Sequence, residues 1–112
     1  AAAAAAMNDG EATVAAIRDR CRDGRDIVYE ALDGVEAFEL PTKPAGGMYV
    51  FFSLRGVEDS GAACRRVLEQ ARVGLAPGRL FGAPANRFVR MCVCRDGARL
   101  AEAAGRMASA LG

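Results

Sequence analysis

An arginine inside an apolar strand constrains this chain more than any other feature. From Phe88 to Cys94 every residue except Arg90 is apolar. In a strand, alternate side chains point to opposite faces. Phe88, Arg90, Cys92 and Cys94 therefore share one face, and Val89, Met91 and Val93 share the other. A guanidinium cannot discharge itself by losing a proton, and an unpaired buried charge is expensive, so Arg90 requires a partner. It could serve in a structural ion pair or snorkel at a sheet edge. The functional reading is a planar, two-pronged receptor for a carboxylate or phosphate. The pattern alone leaves both readings open.

The approach to this strand is full of turn signals. A helical pattern ends at Gly74, and Leu75 and Ala76 form a very short extended piece. A turn is expected at Pro77-Gly78, because proline fixes its own φ and glycine accepts positive φ. Gly82 and Pro84 prolong the irregular path.

The remaining chain supplies layers to cover a sheet. From about Asp9 to Leu32, apolar residues at Val14, Ile17, Cys21, Val28 and Leu32 keep near-helical spacing with a gap at Gly24. The Arg-Asp run between them reads as a solvated face of alternating charge, although some of these arginines could face another domain. Gly34 is placed to cap that helix, and Val35 to Leu40 reads as a short strand stopped by Pro41. Pro41, Pro44, Gly46 and Gly47 bound a rigid loop that is either a plain connection or a place where a ligand approaches the backbone. Met48 to Leu54, with only Ser53 polar, suits a central strand covered on both faces. Glu58, Asp59 and Ser60 open a second helix with Cys64, Val67, Leu68 and Ala71 as its buried stripe. Asp96 opens a third, carrying Leu100, Ala103, Ala104, Met107 and Leu111, with Gly105 interrupting it. The expected order is α-β-β-α-β-β-α, an α+β layer with helices covering a small sheet of three to four strands.

Totals exclude several function classes. At 112 residues, 52% hydrophobic and 26% charged, the chain has the content of one globular domain, short for a complete metabolic enzyme. No apolar run approaches membrane-spanning length. Residues 1–6 are alanines without the charged start or bulky apolar centre of a signal, and they are set apart, as a tag or as untraced residues written as alanine, from the domain at 7–112. Residues 1–60 carry a net −5 and residues 61–112 a net +6. The aromatics do not interleave with the basic residues as nucleic-acid binding would require, and Tyr49, Phe51 and Phe52 read as core. With no histidine and no Cys-x-x-Cys pair among Cys21, Cys64, Cys92 and Cys94, a zinc site is not expected. A reducing, cytoplasmic setting is.

Three segments, in order, resemble the C-terminal small domain of the class I and II aminotransferases, pyridoxal-phosphate enzymes of the aspartate aminotransferase fold type. The first, Pro44-Ala45-Gly46-Gly47-Met48-Tyr49-Val50-Phe51, is similar to the family's proline, glycine and aromatic-rich strand. The second, Ala71 to Gly82, is similar to its glycine, short strand, Pro-Gly and Phe-Gly sequence. The third, Phe88-Val89-Arg90-Met91, matches the strand whose arginine takes the substrate α-carboxylate. The resemblance spans about Gly10 to Leu111.

The resemblance implies that Arg90 is the substrate-binding residue and that Gly46, Gly47, Met48 and Phe81 lie near an active-site rim, where domain closure excludes water. It implies pyridoxal 5'-phosphate as cofactor, held by a large domain that supplies the Schiff-base lysine, the pyridine-nitrogen Asp and the phosphate site. Lys43, the sole lysine, stands outside the family's lysine context, so no catalytic residue is expected in this chain. The implied parent transfers an amino group between an amino acid and a 2-oxo acid and is a homodimer; this domain alone is inactive. The same scaffold also serves lyases, decarboxylases, racemases and cyclases acting on amino acids. A stand-alone anion-binding α+β module is the alternative from another class.

Overall fold

A computed structural model describes residues 2–81 and 86–112, with side chains from Gly10 onward except that of Phe81. The element order is α1 (Ala2–Leu32), β1 (Phe38–Glu39), β2 (Tyr49–Leu54), α2 (Ser60–Ala71), β3 (Ala76–Pro77), a 3-10 turn (Gly78–Phe81), β4 (Val89–Cys92) and α3 (Gly97–Leu111). This is the expected α-β-β-α-β-β-α order. The strands form one antiparallel sheet in the order β1-β2-β4-β3.

The three helices share a core with one face of that sheet. Val50, Phe52 and Leu54 of β2 and Val89 and Met91 of β4, with Val93 just beyond, are buried with Val28 and Leu32 of α1, Val67 of α2 and Leu100 and Met107 of α3. Phe38 meets Phe52 edge to face, ring centroids 5.6 Å apart, fixing β1 against β2. The opposite face is open: Tyr49 and Phe51 remain 39% and 38% exposed. The expectation that β2 is covered on both faces is thus corrected. Its continuous apolar run reflects two different environments.

Other boundaries shift for identifiable reasons. β1 is shorter than Val35–Leu40, because Gly34 takes φ +78° and two successive turns follow, with the Val35 and Phe38 N–H groups donating to the Leu32 and Val35 carbonyls. β4 pairs only over Val89–Cys92, but its alternation is as read: Val89, Met91 and Val93 are buried while Phe88, Arg90, Cys92 and Cys94 are half-buried. α1 runs back through the alanines to Ala2.

The second helix departs most from its reading. It ends at Ala71 rather than Gly74, because Arg72 itself adopts the left-handed conformation (φ 59°) and its N–H returns to the Leu68 carbonyl. Its buried stripe is Ser60, Gly61, Ala63, Val67 and Ala71. Leu68 is 52% exposed and Cys64 only half-buried. Pro77 lies in β3 rather than a turn; as an outer strand β3 tolerates the missing N–H. The bend comes one residue later, where Gly78 donates to the Phe88 carbonyl at 2.7 Å and opens the 3-10 turn. Gly82 and Pro84 lie outside the described residues.

Candidate active-site face

Arg90 stands on the open face of the sheet. It pairs with Phe51 across β2 and with Ala76 across β3. Its guanidinium carbon lies 4.0 Å from the Tyr49 ring centroid, well within cation–π range. Cross-strand pairing thus puts Arg90, Phe51 and Tyr49 together. Arg90 and Phe51 each take part in further interactions, so neither is an isolated group. Arg90 is half-buried, with its guanidinium over an aromatic ring.

The loop before β2 forms the next part of this face. Gly47 has φ +100°, and Gly46, Gly47 and Met48 are exposed. The Met48 carbonyl accepts the Val93 N–H at 2.8 Å, continuing the β2–β4 ladder by one bond. These three residues border a shallow pocket of about 350 Å³ whose walls include Tyr29, Tyr49 and Phe51. Arg90 does not line this pocket; Tyr49 and Phe51 connect the two. Phe81 closes the 3-10 turn, and its side chain lies outside the described residues.

Helix α1 fixes the loop's position. Arg25 Nη1 donates to the Pro44 carbonyl at 2.7 Å, and its Nε meets Asp26 at 3.1 Å. Lys43 Nζ also reaches Asp26, at 3.0 Å. Hydrogen bonds from Lys43 and then Arg25 hold the Asp26 carboxyl below its ordinary range. The Tyr29 hydroxyl donates to the Pro41 carbonyl at 3.2 Å, and burial raises its pKa. One end of the charged run is therefore a brace for the glycine loop rather than a solvated face. The 3-10 turn has its own anchor: buried Ser60 accepts the Arg79 N–H on Oγ at 3.2 Å.

Sequence reasoning missed three contributors. Tyr49 and Phe51 lay inside an apolar run and were assigned to the core; only the pairing with β4 reveals that they flank Arg90. Arg25 was one of several arginines in a charged helix, and nothing local distinguishes it from Arg22, which merely pairs with Asp19 on the surface.

The described residues of this chain offer no unengaged lysine to pyridoxal phosphate. Its lysine is committed to Asp26, with Nζ 5.9 Å from the Tyr29 ring centroid. Among the described residues no group of three or more His, Cys, Asp or Glu is placed to hold a metal ion, and no helix is long and apolar enough to cross a membrane. All four cysteines are free thiols. Burial, with a hydrogen bond that the Cys21 S–H donates to the Cys94 sulfur, pushes the Cys21 thiol up to about 11.

A three-helix, four-strand α+β fold of this kind occurs within solved aminotransferases. Aspartate aminotransferase from Thermus thermophilus with maleate matches 94% of this chain and 26% of its own at 28% identity, with a TM-score of 0.79. N-Succinyldiaminopimelate aminotransferase from Mycobacterium tuberculosis matches 96% of this chain and 29% of its own at 29% identity, with a TM-score of 0.77. Residues 1–107 match the family model for aminotransferase class I and II, and the chain belongs to that family. LL-Diaminopimelate aminotransferase of Oleidesulfovibrio alaskensis is 34% identical over 96% of this chain and 27% of its own length. The chain thus spans about a quarter of the length of such relatives.

Proposed function

We propose that this chain is the substrate-clamping small domain of a pyridoxal-phosphate-dependent aminotransferase, in which Arg90 takes the α-carboxylate of the amino acid or 2-oxo acid. The observation that carries the reading is Arg90 on the open sheet face, its guanidinium stacked 4.0 Å from the Tyr49 ring centroid, in a chain that belongs to this family. A planar fork held at that face offers two parallel N–H donors to a carboxylate. Gly46, Gly47, Met48 and Phe81 form the rim, with the Arg25 and Lys43 contacts keeping the loop in place. Pyridoxal phosphate supplies the amino-group chemistry when bound, and a large domain of the parent holds it. The parent is a homodimer, and the domain alone does not turn over substrate.

The test is Arg90→Ala and Arg90→Lys in the full-length parent. Losing a charge-assisted bidentate contact worth about 3 kcal/mol raises KM for the amino acid by roughly 100-fold. Cofactor absorbance stays unchanged, and Arg90→Lys recovers only part of the loss. Loss of bound cofactor with unaltered amino-acid affinity would refute the assignment.

A further inference from the structure

A second basic site lies at the far end of the sheet. β3 pairs with β4 only through Ala76–Arg90 and Pro77–Val89. Beyond that register the preceding segment diverges from β4, and a cleft of about 560 Å³ opens between it and the start of α3. Arg72, Arg95, Arg99 and Arg106 line this cleft against a single carboxylate, Asp96. That carboxylate is engaged as the α3 cap, accepting the Arg99 N–H at 3.1 Å.

The arginines divide into a brace and a cluster. Arg106 donates to the Ala71 and Arg72 carbonyls at 2.9 and 3.5 Å and pairs with Glu102 at 2.9 Å, so it holds the end of α2. Arg72, Arg95 and Arg99 are exposed and, among the described residues, have no carboxylate within 4.0 Å. Arg95 stands on the ridge between this cleft and a depression bearing Asp19 and Asp23. Two of the three occupy positions that local physics disfavours. Arg72 takes a left-handed φ of 59°, where glycine fits without strain. Arg99 puts a cation in the first turn of α3, at the positive end of the helix dipole. Departures from local preference that converge on one cleft mark a place where something other than folding sets the residue.

We propose that this cleft binds a compact multivalent anion, an oligophosphate chain either free or carried by a nucleotide. Three guanidinium groups around one concavity match several phosphate oxygens better than one carboxylate. Among the described residues no aromatic side chain lines the cleft, so it lacks the stacking platform of a single-stranded nucleic-acid site.

Calorimetric titration of the chain with inorganic tripolyphosphate and with ATP, at physiological salt, tests the proposal. Saturable binding of either is expected, weakened at least tenfold in Arg95→Ser/Arg99→Ser. Equal affinity for the two ligands identifies the phosphate chain as the recognised part; tighter ATP binding identifies a nucleotide. Arg72→Gly separates binding from folding, because removing the left-handed strain raises Tm while the lost charge weakens affinity. Absence of saturable binding, affinity unchanged in the double variant, or tighter arginine-dependent binding of an oligonucleotide than of either small ligand overturns it.

Discussion

Gly24 and Gly105 are both helical glycines, and the sequence gives them the same weight. Their surroundings make them opposites. A Cβ on Gly24 would collide with the Val93 carbonyl oxygen and lie 2.8 Å from Leu100 Cδ1, so α1 approaches α3 and the residue following β4 closely only because Gly24 has no side chain. Among the described residues, nothing outside its own stretch of helix lies within 4 Å of a Cβ on Gly105. Gly24→Ala should therefore lower stability by about 1–3 kcal/mol through overpacking against rigid backbone. Gly105→Ala should raise it by about 0.4–1 kcal/mol through helix propensity and a less flexible unfolded chain. Urea unfolding of the two variants measures both, and changes of the same sign would contradict this account. The gap at Gly24 was legible as a break in apolar spacing, but its cause is a tertiary contact some seventy residues away. Arg90 differed: strand alternation alone put it on the face opposite Val89 and Met91, where the structure has it.

Helix starts were more legible than helix ends. Asp59 and Asp96 stand just before α2 and α3, and each carboxylate accepts a backbone N–H of the first turn, from Gly61 at 3.2 Å and Arg99 at 3.1 Å. A capping carboxylate acts within its own segment, so the sequence carries the whole signal. The end of α2 depends instead on Arg106, brought in from α3 to the Ala71 carbonyl. That contact meets an orphan helix carbonyl and stops the helix at an arginine, where local reasoning chose Gly74. Leu68 and Cys64 were misplaced for a related reason: small Gly61, against the Arg79 guanidinium, and Ala63 are buried, which rotates the buried stripe. Asp59→Ala should cost about 0.5–2 kcal/mol. It should also loosen the 3-10 turn, since Ser60 receives the Arg79 N–H and donates its own N–H to the Asn86 carbonyl. Hydrogen exchange at those two amides, with thermal unfolding, tests this; faster exchange without any fall in Tm would rule out the cap as the link.

The described molecule is elongated, 57 × 30 × 24 Å with a radius of gyration of 16.0 Å, against about 13 Å for a compact domain of this length. Helix α1 causes this, since residues 11–20 are all exposed and project beyond the core. Val14 and Ile17 on that projection are 55% and 45% exposed, and with Met48, 46% exposed, they line one depression beside Gly46 and Gly47. The apolar spacing of α1 was read correctly as amphipathic, but only its second half has a core to meet. Leu75 packs against the core, while Val14, Ile17, Tyr49 and Phe51 join Met48 in the open. Contiguous apolar surface of this kind promotes association in water. The isolated chain should therefore self-associate with rising concentration in analytical ultracentrifugation. Val14→Ser combined with Ile17→Ser should suppress the association while changing stability by no more than about 0.5 kcal/mol, because neither side chain contributes to the buried core. A large loss of stability in that variant would mean that the first half of α1 packs on the domain, and that the open face is smaller than the described geometry makes it.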